Sequence, residues 1–533
     1  MKSTASQAQG AVGEGARCMF SEMWTLAVVA GALLSYRFLI SPLVKLTSSR
    51  AAMPIGGFVG VVVIWLVLAV VLHLEGAVDT LDDFRLVIMV ATTAVTWKTV
   101  TADWNFSERR RPQVIYRLGL LFLLVLSLID LPVAVLWLMW LVSAGKPWVH
   151  HSMLAIRLVK MYAAVAIPLF VVHLFVPNYV EQASPLLLLF AGVALSHYVK
   201  PAFSKIALGR RPWSWVVENQ PYALAASAYM WGWRRLPERL TVPLLTMSAR
   251  LSIPLNAAAL VVELLPLISG FSPWTLGVSL GICAFFNIVV VVLSGIFFWE
   301  NILCLGALSV TAFLLADQWA PSWWMAISFG ALLLLSSVHL TWKPWDLGWW
   351  DTPFAVRMIW TVSTEDGGTF ELHNDFLDPY ERDYGRHYGY FLCDERICTF
   401  HLGGVFNSAL RDAIFESAGA PRKIEAIKKT YGASQRDDEQ TDSHDRFMID
   451  LFTGLNAGSR RGPLAGLCRV LKAPGGQLFY RGDLPPYRGG KTVAEVAVRY
   501  RETYFDVNEG TFTTITDHLV HRTPIMARSD DHR

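Results

Sequence analysis

Residues 185–205, PLLLLFAGVALSHYVKPAFSK, decide how the rest of the chain is read. Pro185–Leu195 is wholly apolar, and Ser196-His197-Tyr198, Lys200 and Lys205 follow it directly, so titratable nitrogens stand where a membrane helix ends. A cation in that position either snorkels to the lipid headgroups or lines a protein-walled cavity. In a cavity the low dielectric favours the uncharged amine, which can then act as a base.

Outward from this stretch the composition is that of a membrane protein: 53% hydrophobic residues, 21 Trp, mean hydropathy +0.39 and only 17% charged residues, far from soluble averages. Ile55–Leu74, Leu118–Ile129 with Leu131–Leu141, Tyr162–Val176, Leu251–Leu267, Trp274–Trp299 and Trp323–Leu340 are almost continuously apolar. Most are long enough to cross about 30 Å of hydrocarbon. Trp24–Leu43, Phe84–Trp97, Pro185–Tyr198 and Ile302–Leu315 are shorter or more polar. The count is about ten membrane segments. From Thr341 onward charged residues become frequent and no spanning run recurs. The expected layout is a polar N-terminal tail (1–20), an all-α polytopic membrane domain (21–340) and a soluble α+β domain (341–533). Met1–Arg17 lacks the pattern of a cleavable signal, so Trp24–Leu43 reads as a retained helix. A net charge of +3 gives no footprint for nucleic acid.

Lys45 and Arg50 follow the first span, and Arg109–Arg111 and Arg117 follow the third, so those loops read as cytoplasmic and the N-terminus as outside. Lys146, Arg157 and Lys160 fit the same rule only if Leu118–Leu141 enters and leaves on one side. A break at Asp130-Leu131-Pro132 would give a re-entrant pair of half-spans of about 18 Å each. The soluble domain is then cytoplasmic, with the chain in the plasma (inner) membrane. A single long kinked helix would put that domain outside.

Within the tail, Met358–Val362 and Thr369–Leu372 around Glu365-Asp366-Gly367-Gly368 predict a hairpin, and Tyr388–Cys393 with Ile397–His401 predict a second. Val405–Ser417 and Arg422–Tyr431 carry apolar residues at helical spacing. Val493–Phe505 and Thr511–Leu519 read as a closing strand pair, and Gln435–Asp445 as a polar loop. Cys393 and Cys398 flank Asp394-Glu395-Arg396 and could bridge across a hairpin if the tail lay outside; their spacing is not a zinc signature, they read as free thiols in a cytoplasmic tail, and no metal site is expected. Motifs for nucleotides, dinucleotides, zinc proteases and serine hydrolases are absent from the sequence.

Polar groups inside spans each cost on the order of 2.5–3.5 kcal/mol unless partnered. They are Asp130, His173, His197, Asn256, Glu263 and Asn287. Glu263 has no acid or base near it on its own helix, and Asn256 lies seven residues earlier on nearly the same face. A carboxylate there is protonated, wet, or paired with a cation from another helix, for which Lys205, Lys200 and His197 are the candidates. The alternative is a purely structural interhelical strut.

Phe203-Ser204-Lys205-Ile206, Glu263-Leu264 and Phe286-Asn287 ahead of Gly295-Ile296-Phe297-Phe298-Trp299 resemble the horizontally transferred transmembrane (HTTM) domain family. That family includes the vitamin K-dependent gamma-glutamyl carboxylases. The resemblance covers about Leu118 to Leu315, and Asn287 stands where the family's histidine is expected. From the residues themselves, His197 and Glu263 read as supporting catalytic groups and Lys200, Tyr198, Asn256 and Asn287 as substrate-lining candidates; the resemblance implies a lysine base at Lys205. It also implies a reduced quinone as cofactor. A glutamate-containing protein substrate is not implied, because the tail does not match the carboxylases' peptide-binding region.

The expected function is therefore an integral membrane enzyme doing acid–base or redox-coupled chemistry on a quinone-like or lipidic molecule from the bilayer. Its soluble domain would take a second substrate or a protein partner. Two alternatives belong to other classes: a transporter or channel with a midplane site at Asp130–Pro132 and Glu263, and a non-catalytic subunit docking a partner through residues 341–533.

Overall fold

The computed structural model describes residues 23–48, 59–67, 81–101, 110–144, 154–176, 183–233, 236–319, 323–372, 390–394, 396–397, 402–457, 471–476 and 482–525. In chain order the helices are α1 (Met23–Thr47), α2 (Arg85–Thr101), α3 (Arg110–Ile129), α4 (Val133–Ala144), α5 (Leu154–Phe175) and α6 (Ala183–Ile206), with residues 59–67 also helical. Three helices, α7 (Ser214–Glu218), α8 (Pro221–Met230) and α9 (Glu238–Arg250), then precede α10 (Ser252–Leu264), α11 (Pro273–Ser294), α12 (Trp299–Leu314) and α13 (Trp323–Ser337).

Among the described residues, five helical runs are long and apolar enough to cross a membrane: α1, α5, α6, α11, and α10 with its 3₁₀ continuation Leu265–Phe271. Val114–Ile129, Val133–Val142, Trp299–Leu314 and Trp323–Ser337 are shorter apolar stretches. Of the expected segments, most of Ile55–Leu74 lies outside the described residues. Burial sorts the long helices: 83% of the apolar window of α6 and 67% of that of α5 is buried, against 33% for α1 and α11. Thus α5 and α6 form the centre, where Phe190 stacks on Phe84 at 4.6 Å between centroids. The outer helices turn Phe38, Phe122, Trp274, Phe285 and Val292 outward, the inverse of a soluble bundle.

Local sequence sets the element ends. The Ser272 hydroxyl accepts from Thr275 N at 3.0 Å, Pro273 occupies the first turn, and Gly295 closes α11 at φ 68°, a conformation glycine takes without a Cβ clash. At Asp130-Leu131-Pro132 the chain folds back: Tyr116 Oη donates to Leu141 O at 3.0 Å and Trp140 Nε1 to Tyr116 O at 3.0 Å. Bonds between the start of α3 and the end of α4 require an antiparallel helical hairpin, which replaces the single kinked helix. The start of α3 and the end of α4 therefore lie side by side.

Among the described residues, four antiparallel strands form the C-terminal sheet in the order β2-β1-β3-β4, with β1 (Phe354–Thr364), β2 (Thr369–Leu372), β3 (Val493–Asp506) and β4 (Thr511–Pro524). Both the Glu365–Gly368 hairpin and the closing strand pair are found where expected, with Trp360 opposite Leu372 and Phe505 opposite Phe512. Among the described residues, helices α14 (Ser408–Ser417), α15 (Pro421–Tyr431) and α16 (Asp438–Asn456) accompany the sheet. Ile414, Ile424, Met448 and Phe452 join the even-numbered side chains of β1 in one core, as the period of two requires.

Two tail expectations are corrected. Residues 438–445 are the first turns of α16, not loop: the Asp437 side chain caps Gln440 N at 3.0 Å, and Thr441, His444, Met448, Leu451 and Phe452 form a buried stripe at helical spacing. The polar residues that suggested a loop are its outer face. Tyr390–Leu392 is a buried 3₁₀ turn rather than a strand, and Arg396 makes an isolated bridge to Ala433. Cys393 is a free thiol donating to Met358 Sδ at 3.4 Å. Cys398 and the rest of the expected second hairpin lie outside the described residues.

The core of the C-terminal domain also takes in Trp215, Tyr222, Ala226, Trp231 and Leu245 from α7 to α9. Tyr222 meets Phe505 edge-on at 6.3 Å, and Tyr229 stacks on Phe512 at 4.9 Å. Residues 214–250 therefore fasten the membrane bundle to the sheet.

Candidate functional site

Lys205 closes the last turn of α6 and points into the protein. Its Nζ donates to Glu263 Oε1 at 2.5 Å, with the side chains 13% and 5% exposed. It also lies 4.8 Å from the Trp215 ring centroid, a cation–π distance. Snorkelling is thereby excluded. Glu263 Oε2 is buried and accepts no hydrogen bond among the described residues. An unmet carboxylate oxygen in a dry site is costly, and here it stands next to a bound ammonium group.

The walls come from three parts of the chain. Trp215 Nε1 donates to Trp349 O at 3.0 Å, and Trp349 Nε1 to Asp351 Oδ1 at 2.9 Å. Asn219 and Asp351 exchange two bonds, Nδ2 to Oδ2 at 2.8 Å and Asp351 N to Oδ1 at 2.9 Å. Asn256 Nδ2 ties this corner to α10 through Val216 O at 3.1 Å and Asn219 O at 2.8 Å. Gly348 permits the approach: a Cβ there would stand 2.7 Å from the Ser204 carbonyl carbon and 2.9 Å from Lys205 N. Burial pushes the Asp351 carboxyl up to about 6, opposed by its bonds to Asn219 and Trp349 and by the charge of Lys205.

The expected site residues divide. Lys205, Glu263 and Asn256 share this corner, and Tyr198 and Asn287 lie on its membrane side. The Asn287 amide donates to the Tyr198 hydroxyl and to Cys283 O at 2.9 Å, clamping α6 to α11. Tyr198 is seven residues before Lys205, about 20° away around the helix. His197 is offset by about 80° and instead bonds Arg157 Nη1 at 2.8 Å. Its expected support of Lys205 is corrected on that ground. Lys200 pairs with the exposed Asp346 at 2.7 Å, and Ser204 Oγ donates to the same carboxylate at 3.2 Å. Lys200 therefore anchors the linker rather than facing the Lys205–Glu263 corner.

Trp215, Asn219, Trp349 and Asp351 were not anticipated. Their only signal was the density of Trp at 213–215 and 349–350, just outside apolar runs.

Elsewhere, His444, Asp445 and His521 place nitrogens and a carboxylate within 4.8 Å of one another. Trp360 Nε1 donates to His444 Nε2 at 3.0 Å, so the proton of the neutral ring sits on Nδ1, which faces Asp445 Oδ1 at 3.1 Å. That tautomer leaves His444 no lone pair for an ion. Burial alone would raise the Asp445 carboxyl, but bonds from His444, Thr523 and His521 hold it well below the usual range. A hollow of about 300 Å³ on the sheet is lined by Thr361, Glu371, Arg499, Arg501 and Asp517. Its charges satisfy one another: Arg501 and Arg499 pair with Asp517 at 2.7 and 2.9 Å, and Arg357 with Glu371 at 2.5 Å.

No protein-family profile, curated protein or solved structure matches the chain.

Proposed function

We propose that this is an integral membrane enzyme in which the Lys205–Glu263 pair carries out acid–base chemistry on a hydroxylated, quinol-like or lipidic molecule entering from the bilayer. The observation that carries the reading is the open Glu263 Oε2 beside the Lys205 Nζ. With the proton of the pair resting on Glu263, the Lys205 amine takes the proton of a substrate hydroxyl bound there, and the oxyanion left behind accepts from the resulting ammonium in a water-poor corner. Such preorganised donors are worth most at low dielectric. Trp215 and Tyr198 make the surroundings aromatic, and a reduced quinone, implied by the HTTM resemblance, has a hydroxyl on an aromatic ring.

In the same reading the bundle sits in the plasma membrane with about ten membrane segments, counting the α3–α4 hairpin. Arg157 reaches Lys343 O at 2.7 Å and Lys200 reaches Asp346, so the basic bundle end and the C-terminal domain share a side. The positive-inside rule makes that side cytoplasmic. The soluble domain then supplies a second substrate or a protein partner to a corner it helps to build.

The test is oxygen-dependent oxidation of a short-chain naphthohydroquinone by protein in nanodiscs, followed by quinone absorbance. Deprotonation to the reactive phenolate precedes electron loss to oxygen, so the wild-type protein accelerates the reaction. Lys205→Ala and Glu263→Gln each lower that rate by about 10²-fold or more. Lys205→Arg does not restore it, because a guanidinium keeps its proton. Wild-type rates in folded Glu263→Gln would remove the dyad from the chemistry.

A further inference from the structure

A second group of cations lies in the bundle, away from the Lys205–Glu263 corner. Arg157 and Lys160, one turn apart on α5, are each only 6% exposed. Arg157 is held in place: Nη1 meets His197 Nε2 at 2.8 Å and Nη2 donates to Lys343 O at 2.7 Å, both uncharged partners. Lys160 makes no hydrogen bond or ion pair among the described residues, and the charges acting on it are those of Arg157 and Lys45. Tyr36, buried at a π-helical turn of α1, lies within electrostatic reach of Arg157. Among the described residues neither buried cation is paired with a carboxylate: Arg157 has neutral partners and Lys160 has none, and Lys45 adds a further positive charge at the rim. Leaving charge so placed is strongly unfavourable.

The depth of the group matters as much as its charge. Arg157 and Lys160 lie in the first turns of α5, Arg157 touches the linker just after α13, and Lys45 is exposed near the end of α1. This is the bundle end joined to the soluble domain, at the level where a membrane helix emerges. Basic recesses between helices at that level suit acidic headgroups.

We infer that Arg157, Lys160 and Lys45 form a binding site for a phosphate anion, with Arg157 prepositioned by His197 and Lys343 and Lys160 supplying the inner contact. A phosphate oxygen accepts from both a guanidinium and an ammonium. The source is either a phospholipid headgroup or free phosphate.

The test uses full-length protein in nanodiscs of phosphatidylcholine alone, of phosphatidylcholine with phosphatidylglycerol, or of phosphatidylcholine with inorganic phosphate added. The readouts are the thermal midpoint and the lipid retained through detergent extraction, measured by mass spectrometry. Phosphatidylglycerol raises the wild-type midpoint and is retained, while Lys160→Met lowers retention about tenfold and abolishes the rise. Lys160→Arg, which keeps the charge, preserves both, and Lys45→Gln weakens retention even if Lys160→Met fails to fold. A rise with inorganic phosphate alone, lost in the same variants, assigns the site to free phosphate; a rise with phosphatidylglycerol alone assigns it to lipid. No wild-type response to either, or equal responses in wild-type protein, Lys160→Met and Lys45→Gln, overturns the inference.

Discussion

Breaking the Lys205–Glu263 pair one partner at a time should be far more damaging than removing both. Lys205 Nζ and Glu263 Oε1 are 2.5 Å apart with little exposure on either side chain, so Lys205→Met strands a carboxylate and Glu263→Leu strands an ammonium in a dry site. Each single change should destabilise by about 3–5 kcal/mol, whereas the double variant should lie within about 1 kcal/mol of wild type. Methionine keeps most of the stem packed beneath Trp215, so the loss reports on charge rather than volume. The coupling from the double-mutant cycle, the double change minus the two single changes, is then about 6–10 kcal/mol in magnitude, read from sodium dodecyl sulfate titrations of reconstituted protein. A coupling at or below about 1 kcal/mol, the value of exposed pairs, would refute the enclosed dyad and with it the chemistry assigned to it.

Asp351 binds its proton more tightly folded than unfolded, so its contribution to stability is complete below the unfolded value of 3.8 and is lost as pH rises through about 6. The shift of roughly two units corresponds to about 3 kcal/mol; Asp351→Asn should flatten the stability profile between about pH 4 and 6, and an unchanged profile would contradict its burial. Gly348→Ala should force the linker off the end of α6, given the 2.7 Å approach to Ser204, lowering stability by about 1–3 kcal/mol and increasing Trp fluorescence quenching by acrylamide as Trp349 is exposed. Zinc should leave the thermal midpoint of the wild-type protein unchanged, since the Trp360 N–H occupies His444 Nε2; a concentration-dependent rise would overturn the assigned tautomer.

The apolar helices were legible because hydropathy is a one-dimensional property: runs such as Leu251–Leu267 and Trp274–Trp299 reappear as α10 with its 3₁₀ continuation and as α11. Both strand pairs were legible for a related reason, since the Gly367-Gly368 and Asn508-Glu509-Gly510 turns are local. Where the pattern failed, a tertiary contact had overridden it. The start of α16 is polar by composition, yet the sheet takes its inner stripe; Tyr390–Leu392 is strand-like, yet packs as a turn beneath Val356, whose carbonyl accepts from Tyr390 Oη at 3.0 Å.

Sequence by itself established which segments are apolar, that Lys205 and Glu263 are ionisable groups in or beside such segments, and that a mixed α+β region follows them. It did not fix the partner of either group. Pairing between α6 and α10 brings together residues 58 positions apart, and the same helix sends His197 to Arg157 because one residue of offset turns a side chain by about 100°. Asp351 and Trp349 reach the corner only because Gly348 lets the linker lie against α6. Charge and hydropathy belong to individual residues, whereas enclosure is a relation among several, and only packing creates it.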